Sequence, residues 1–342
     1  MAAPPITLRR LHNQLLAGTG AASPHAVVSH FGAMQAQDYL GALWAVGTRM
    51  RDAVERDVED ALAERRIVRC WPMRGTLHFV AAEDVRWMLE LLAPRVLKRH
   101  RKRLEGDFEL DAATLRRARA AVERALQGGH ALTRPEIYAV LERARITTGA
   151  SRGLHILFAL AHERLLCFGA RRGKQPTFVL LDQWLPPSPP KSREEALVEL
   201  ARRYVASHAP ATLADLAWWS GLTAKETNEA VSLAGVSLDG EPADARVRAP
   251  HVRLLPPFDE YTVAYKDRSA VVDPAHAKNV NAGGGMINAI VVVNGVVAGS
   301  WRRTLRGATV DVTPTLFRER TSAETRALER EIVRYARFVT SC

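Results

Sequence analysis

The chain has 342 residues, 47% of them hydrophobic and 25% charged, and carries a formal charge of +11 with 48 Lys and Arg against 37 Asp and Glu. Those values suit a folded protein of two or three domains and exclude a chain too polar to build a core. The excess of arginine favours an anionic partner, since a planar guanidinium matches phosphate, although a GC-rich coding sequence writes the same Ala/Arg bias. Cys70, Cys167 and Cys342 are scattered, with no CxxC pair and no His at zinc-ligand spacing, so neither a metal nor another cofactor is expected and a reduced, cytoplasmic setting fits.

The first residues, "MAAPPITLRRLHNQLLAG", lack the apolar run of a signal peptide, and the pattern predicts an amphipathic helix. A second helix follows, with Ser23 as N-cap and Pro24 at its first position. The segment "HFGAMQAQDY" then places Gln35 and Gln37 one residue apart. On a helix they would be turned about 200° from each other, whereas in an extended or turn segment both side chains project to one side. Asp38 is expected to cap the helix "YLGALWAV". Next come a helix from "DVEDALAE" and a strand pair in which Trp71, Met73, Leu77 and Phe79 alternate with Arg74, Thr76 and His78, bending at Gly75. Arg74 and His78 thus read as one polar face that contacts phosphate. For His78 a structural hydrogen bond is the equal alternative. The helix "EDVRWMLELLAPRVLKRHRKRL" closes this part.

From Asp111 the order repeats as helix, helix, basic turn and strand: "DAATLRRARAAVERAL", then "TRPEIYAVLERA" with Thr133 and Glu136 at capping-box spacing, then "SRGLHILFALAHERLLCFG", the turn "ARRGKQP" and the strand "TFVLLDQWL". Arg171, Arg172 and Lys174 in that turn have the composition of a phosphate contact. "PPSPP" at 186–190 makes a stiff linker. Two short helices capped by Thr212 and Thr223, joined at Gly221, then give a helix-turn-helix signature, with Trp218 and Trp219 read as core.

Beyond residue 250 the pattern changes to strands. The longest apolar run, "GMINAIVVVNGVVAGSW", is interrupted by Asn288 and Asn294-Gly295, so it is too broken to span a membrane. Asn294-Gly295 instead predicts a tight type I′ hairpin. With Arg302 and Arg303 close behind, that hairpin has the shape and charge to enter a DNA groove, and a final helix from "SAETRALEREIVRYARFV" ends the chain. In "DEYTVAYKDR", Lys266 and Arg268 read either as DNA-facing or as members of a salt-bridged web with Asp259, Glu260 and Asp267. The expected fold class is α+β, with tandem winged-helix units at residues 1–105, 106–185 and 186–250 (the last including the linker) and a β-rich region at 251–342.

The combination of "MQAQDY", "WPMRGTLHFV", "LLPPFDEYTVAYKDRS" and "VNGVVAGSWRR", in this order and over nearly the whole chain, resembles the winged-helix DNA glycosylases of the AlkZ type. The resemblance implies an enzyme that excises bulky N7-alkylated purines and, in some members, unhooks interstrand crosslinks. It also implies that Gln35 and Gln37 are catalytic, in the subgroup with glutamine rather than aspartate at the last motif position, whose members include self-resistance enzymes of antibiotic producers. The expected partner is double-stranded DNA carrying alkylated purines, met by a monomer away from any membrane. A winged-helix transcription regulator is the alternative, but the long dimer helix or ligand domain of such a protein has no counterpart in the sequence. "NAGGG" lacks the GK[ST] ending of a phosphate-cradling loop, and neither HExxH nor a nucleophile elbow occurs.

Overall fold

A computed structural model describes residues 5–240, 247–306 and 309–341. It is a mixed helix-and-sheet protein, and its contacts divide it into two units, Met1–Asp60 with Leu197–Cys342, and Ala61–Ala196.

In the first unit the helix Pro24–Phe31 starts at Ser23, whose side chain accepts the Ala26 N–H, and ends at Gly32 with φ 77°. A short strand, Ala33–Gln35, separates it from the helix Tyr39–Gly47, whose N-cap is Asp38. The main sheet is antiparallel, with the strands in the order Thr309–Leu316, Val296–Arg306, Ile290–Val293 and Val252–Leu255. The C-terminal helix Ser322–Thr340 begins in a capping box of Thr321 and Glu324 and buries Ala327, Leu328, Glu331, Tyr335 and Phe338, one stripe at helical spacing. Its Phe338 ring packs so closely on Gly47 that a Cβ there would lie 2.2 Å from the ring. Glycine at position 47 is thus required by this neighbour, although helix propensity disfavours it. The helix pair Leu213–Ser220 and Ala224–Ala234 has its caps at Thr212 and Thr223 and Gly221 at φ 75° between them, as its sequence predicts, and Asp215 completes a capping box at Thr212 as well.

In the second unit the hairpin Ile67–Met73 and Thr76–Ala81 leads into the long helix Val85–Gly106. Helices Ala112–Leu126, Arg134–Arg143 and Arg152–His162 follow. A three-stranded sheet comes next, ordered Leu132–Thr133, Gln175–Leu180, Leu166–Arg172. Its core includes Leu141, Ile156, Leu157, Leu160, Leu166 and Phe178. The strand expected to run through "TFVLLDQWL" stops at Leu180, and residues Leu181–Trp184 turn into a helical segment instead.

Candidate active site

Gln35 and Gln37 lie outside any helix, at the end of the short strand and in the bend after it. Gln35 is buried, 9% exposed, and Gln37 is open to solvent. The backbone at Gln35 is anchored from behind: its N–H donates to Glu260 Oε1 at 2.6 Å, and the other carboxylate oxygen accepts the Trp219 indole N–H at 3.1 Å. Asp38 spends Oδ1 on the Gly41 N–H at 2.6 Å, the capping role its position predicts.

Asp38 also stands at the edge of a cleft of about 330 Å³ lined by Gly41, Trp44, Pro256, Asn288, Arg302 and Arg303 among others. Gly41 permits that closeness, since a Cβ there would sit 2.9 Å from Asp38 Oδ1 and 3.3 Å from Pro256. The floor is rigid. Trp44 and Trp301 donate their indole N–H groups to the carbonyls of Leu254 and Leu255 at 2.7 and 2.8 Å, and both rings meet Tyr335 edge to face. Arg303 donates to the Tyr335 hydroxyl at 2.6 Å, whereas Arg302, its neighbour on the strand, is exposed. Burial raises the Tyr335 phenol above its ordinary range, with the Arg303 guanidinium pulling the other way, so the phenol stays neutral.

Beneath the glutamine strand the unit buries charge. Arg49 donates to both Asp259 oxygens at 2.7 and 2.8 Å, to the Ala45 and Gln14 carbonyls, and to the Gln14 side chain, which uses all five guanidinium N–H groups. Asp259 in turn caps the Glu260–Val263 helix through the Tyr261 N–H. The web expected around Asp259 and Glu260 draws partners from far away in the chain, Arg49 for Asp259 and Trp219 for Glu260, and these carry no local signal.

The expected DNA contacts divide between the units. Lys266, Arg268, Asn294, Arg302 and Arg303 belong to the first; Arg74, His78, Arg171, Arg172 and Lys174 belong to the second. The cleft brings Arg302 and Arg303 together with Asp38, next to Gln37. Arg268 is half-buried and donates to two neutral oxygens, the Thr262 carbonyl and the Asn281 side chain, rather than to the carboxylates expected of a salt-bridged web, while Lys266 is exposed. Arg74 sits half-buried in the hairpin turn at φ 56°. His78 corrects the expected polar face: it is fully buried, with Nδ1 3.0 Å from the Thr76 carbonyl, because both faces of this hairpin are covered. In the basic turn Lys174 is exposed, Arg171 binds the Lys174 carbonyl, and Arg172 is engaged by Glu136 and the Ala131 carbonyl.

Asn294-Gly295 forms the tight turn, with φ 51° and 84°, but its tip does not stand free. A Cβ on Gly295 would lie 2.7–3.0 Å from Thr7, and the Gly295 carbonyl accepts the Tyr261 hydroxyl at 2.7 Å. Packing thus holds the turn at Gly295, while Asn294 stays exposed with its Oδ1 accepting the His251 N–H. The basic residues sit on the following hairpin, Val296–Arg306 with Thr309–Leu316. The tryptophan pair also separates: Trp219 is core, whereas Trp218 is 46% exposed, held by its N–H on the Val263 carbonyl.

The DNA glycosylase AlkZ-like family matches residues 28–338 of this chain, which takes in both glutamines and the cleft. The protein is a DNA glycosylase, a hydrolase acting on N-glycosyl bonds. Within that class, the chain belongs to the AlkZ-like family. Among curated proteins it is similar to an interstrand DNA cross-link repair glycosylase of Streptomyces sahachiroi, 26% identical over 365 aligned positions that cover 96% of this chain and 94% of the relative. Among solved structures it is similar in fold to Streptomyces sahachiroi DNA glycosylase AlkZ, with a TM-score of 0.77 at 23% identity, covering 99% of this chain and 98% of that one.

Proposed function

We propose that the protein hydrolyses the N-glycosidic bond of N7-alkylated purines, bulky ones included, and leaves abasic sites in duplex DNA. An N7-alkylated purine already carries positive charge and departs neutral, so no acid is needed to protonate it. What remains is to hold a water at the anomeric carbon and steady an oxocarbenium-like sugar. Amide side chains suit this: their oxygen accepts from water and their NH2 donates to sugar or phosphate oxygens. Gln35 and Gln37 are the residues we assign to these tasks. The observation that carries the assignment is the fixed, non-helical segment on which both glutamines sit, one residue from a cleft edged by Arg302 and Arg303.

The relative's name supports a further reading, that interstrand crosslinks are substrates here as well. For the fold we propose tandem winged-helix units. Support is strongest at residues 106–185, where three helices are followed by a basic hairpin. The test is to incubate duplex carrying N7-methylguanine or a bulky N7 adduct, then cleave abasic products with alkali. Gln35→Ala and Gln37→Ala should each slow strand scission by about 100-fold, the scale of losing one aligned polar group in an active site. Parent-like rates in both variants would end the assignment, and a sequence-specific footprint without base release would favour a regulator.

A further inference from the structure

The cleft that begins at Asp38, one residue past Gln37, encloses about 330 Å³, far more than a methyl group on a purine would fill. We propose that it receives the apolar substituent carried on N7 of the damaged purine while the base itself stays at the glutamines, so that the cleft sets which adducts are preferred. This inference rests on the proposed reaction and names a feature of its substrate.

Trp44, Trp301 and Tyr335 line the cleft together with Pro256, Pro257 and Ala289. The polar atom of each ring is already engaged: the two indole N–H groups donate to the Leu254 and Leu255 carbonyls, and the Tyr335 hydroxyl accepts from Arg303. Such rings and prolines offer a guest chiefly apolar contact, and releasing water from it is favourable. Polar groups share the lining in small number. Asp38 holds the Gly41 N–H through Oδ1, and the Asn288 amide nitrogen donates to the Asn279 carbonyl at 2.8 Å. A mostly apolar wall with a few polar groups, enclosing 300 Å³ or somewhat more, is the usual form of a small-ligand site. The purine ring is the less suitable guest, since its Watson–Crick edge carries donors and acceptors that need partners, and an unpaired polar group in an apolar cleft is costly. Duplex geometry points the same way. N7 lies on the major-groove edge of guanine, so its substituent leads out of the base pair and reaches a surface cleft without taking the base along. The indole bonds and the Pro256-Pro257 pair fix the walls beforehand, so little ordering opposes entry.

The test compares two substrates in one protein. Single-turnover excision is followed with the full chain on duplexes carrying N7-methylguanine or N7-benzylguanine, over a range of protein concentrations. The concentration that gives half the maximal rate should be lower for the benzyl adduct by about tenfold or more, the scale of burying one aromatic ring. Equal values overturn the proposal, and they are also what entry of the base in place of its substituent would give. Ala289→Phe puts a ring inside the cleft and should cut the preference for benzyl over methyl by about tenfold. Because the preference is a ratio within one variant, a general loss of activity cancels from it. A preference that stays at the parent's value overturns the proposal. If melting shows that Ala289→Phe does not fold, Pro257→Phe is the second filling variant, and the parent's own comparison of the two adducts needs neither. A parent that releases neither base removes the proposed reaction and this inference with it, whereas release of both without preference removes this inference alone.

Discussion

The two units solve the problem of a buried interior differently. In the unit of residues 61–196, packing is dominated by Leu, Ile, Ala and Phe, the thiols of Cys70 and Cys167 are buried, and ion pairs such as Arg172–Glu136 and Arg119–Glu163 lie at the surface. In the unit of residues 1–60 and 197–342, Arg49, Asp259, Glu260 and His208 are enclosed beneath the glutamine strand. Replacing a buried pair by apolar residues of similar volume is often neutral or stabilising, so such a network is weak evidence for stability. Its geometric effect is clearer: it fixes Gln14, the helix start at Asp259 and the backbone at Gln35 in one arrangement, which suits a site that must be preorganised. Apolar packing can hold a scaffold, but it does not aim a peptide N–H.

The contrast is broken most sharply at Arg49. Arg49→Ala leaves Asp259 buried and unpaired, and should destabilise the first unit by about 3–5 kcal/mol, read as loss of its denaturant transition. Equal loss in both units would show that the network does not belong to the first alone.

Acid tests each unit through histidines that burial shifts, His162 and His251 among them. Burial holds His162 of the second unit and His251 of the first down to about 4, against an ordinary 6.5. Each is neutral when folded and protonates more readily when unfolded, so its contribution is present above about pH 6.5 and shrinks as pH falls toward 4, because the unfolded chain then binds more protons. The loss should be on the order of 3 kcal/mol for each, from the size of the shift. His162→Gln should flatten the acid limb of the second unit and leave that of the first in place.

The smallest effect is expected at the cleft edge. Arg302 is exposed, so Arg302→Ala should leave folding intact, weaken duplex binding by about tenfold and lower the salt slope by about one. Arg303→Ala also removes the bond to Tyr335 and should cost some stability as well. Unchanged binding across a salt titration would move the DNA surface away from this cleft.

Local chemistry was readable wherever a short-range rule governs it. Ser23-Pro24, Thr133 with Glu136, Thr212, Thr223 and Gly221, and the φ > 0 turn at Asn294-Gly295 all appear as their residues predict, because caps and tight turns are decided within four residues. The non-helical setting of Gln35 and Gln37 was readable for the same reason, with a helix stop at Gly32 and a cap at Asp38 on either side. Alternation misled at His78, since period two marks two faces but does not say that both are covered.

The sequence by itself determined the caps, the turns, the basic character and the placing of two glutamines one residue apart outside any helix. Tertiary structure alone decided that the chain leaves its first unit at Asp60 and returns at Leu197, that Asn294-Gly295 rests on Thr7, and that Arg49 meets Asp259 and Glu260 meets Gln35. The physical reason is separation along the chain. A buried charge is specified by whichever partner the fold delivers to it, and a partner 210 or 225 residues away leaves no mark on the local pattern.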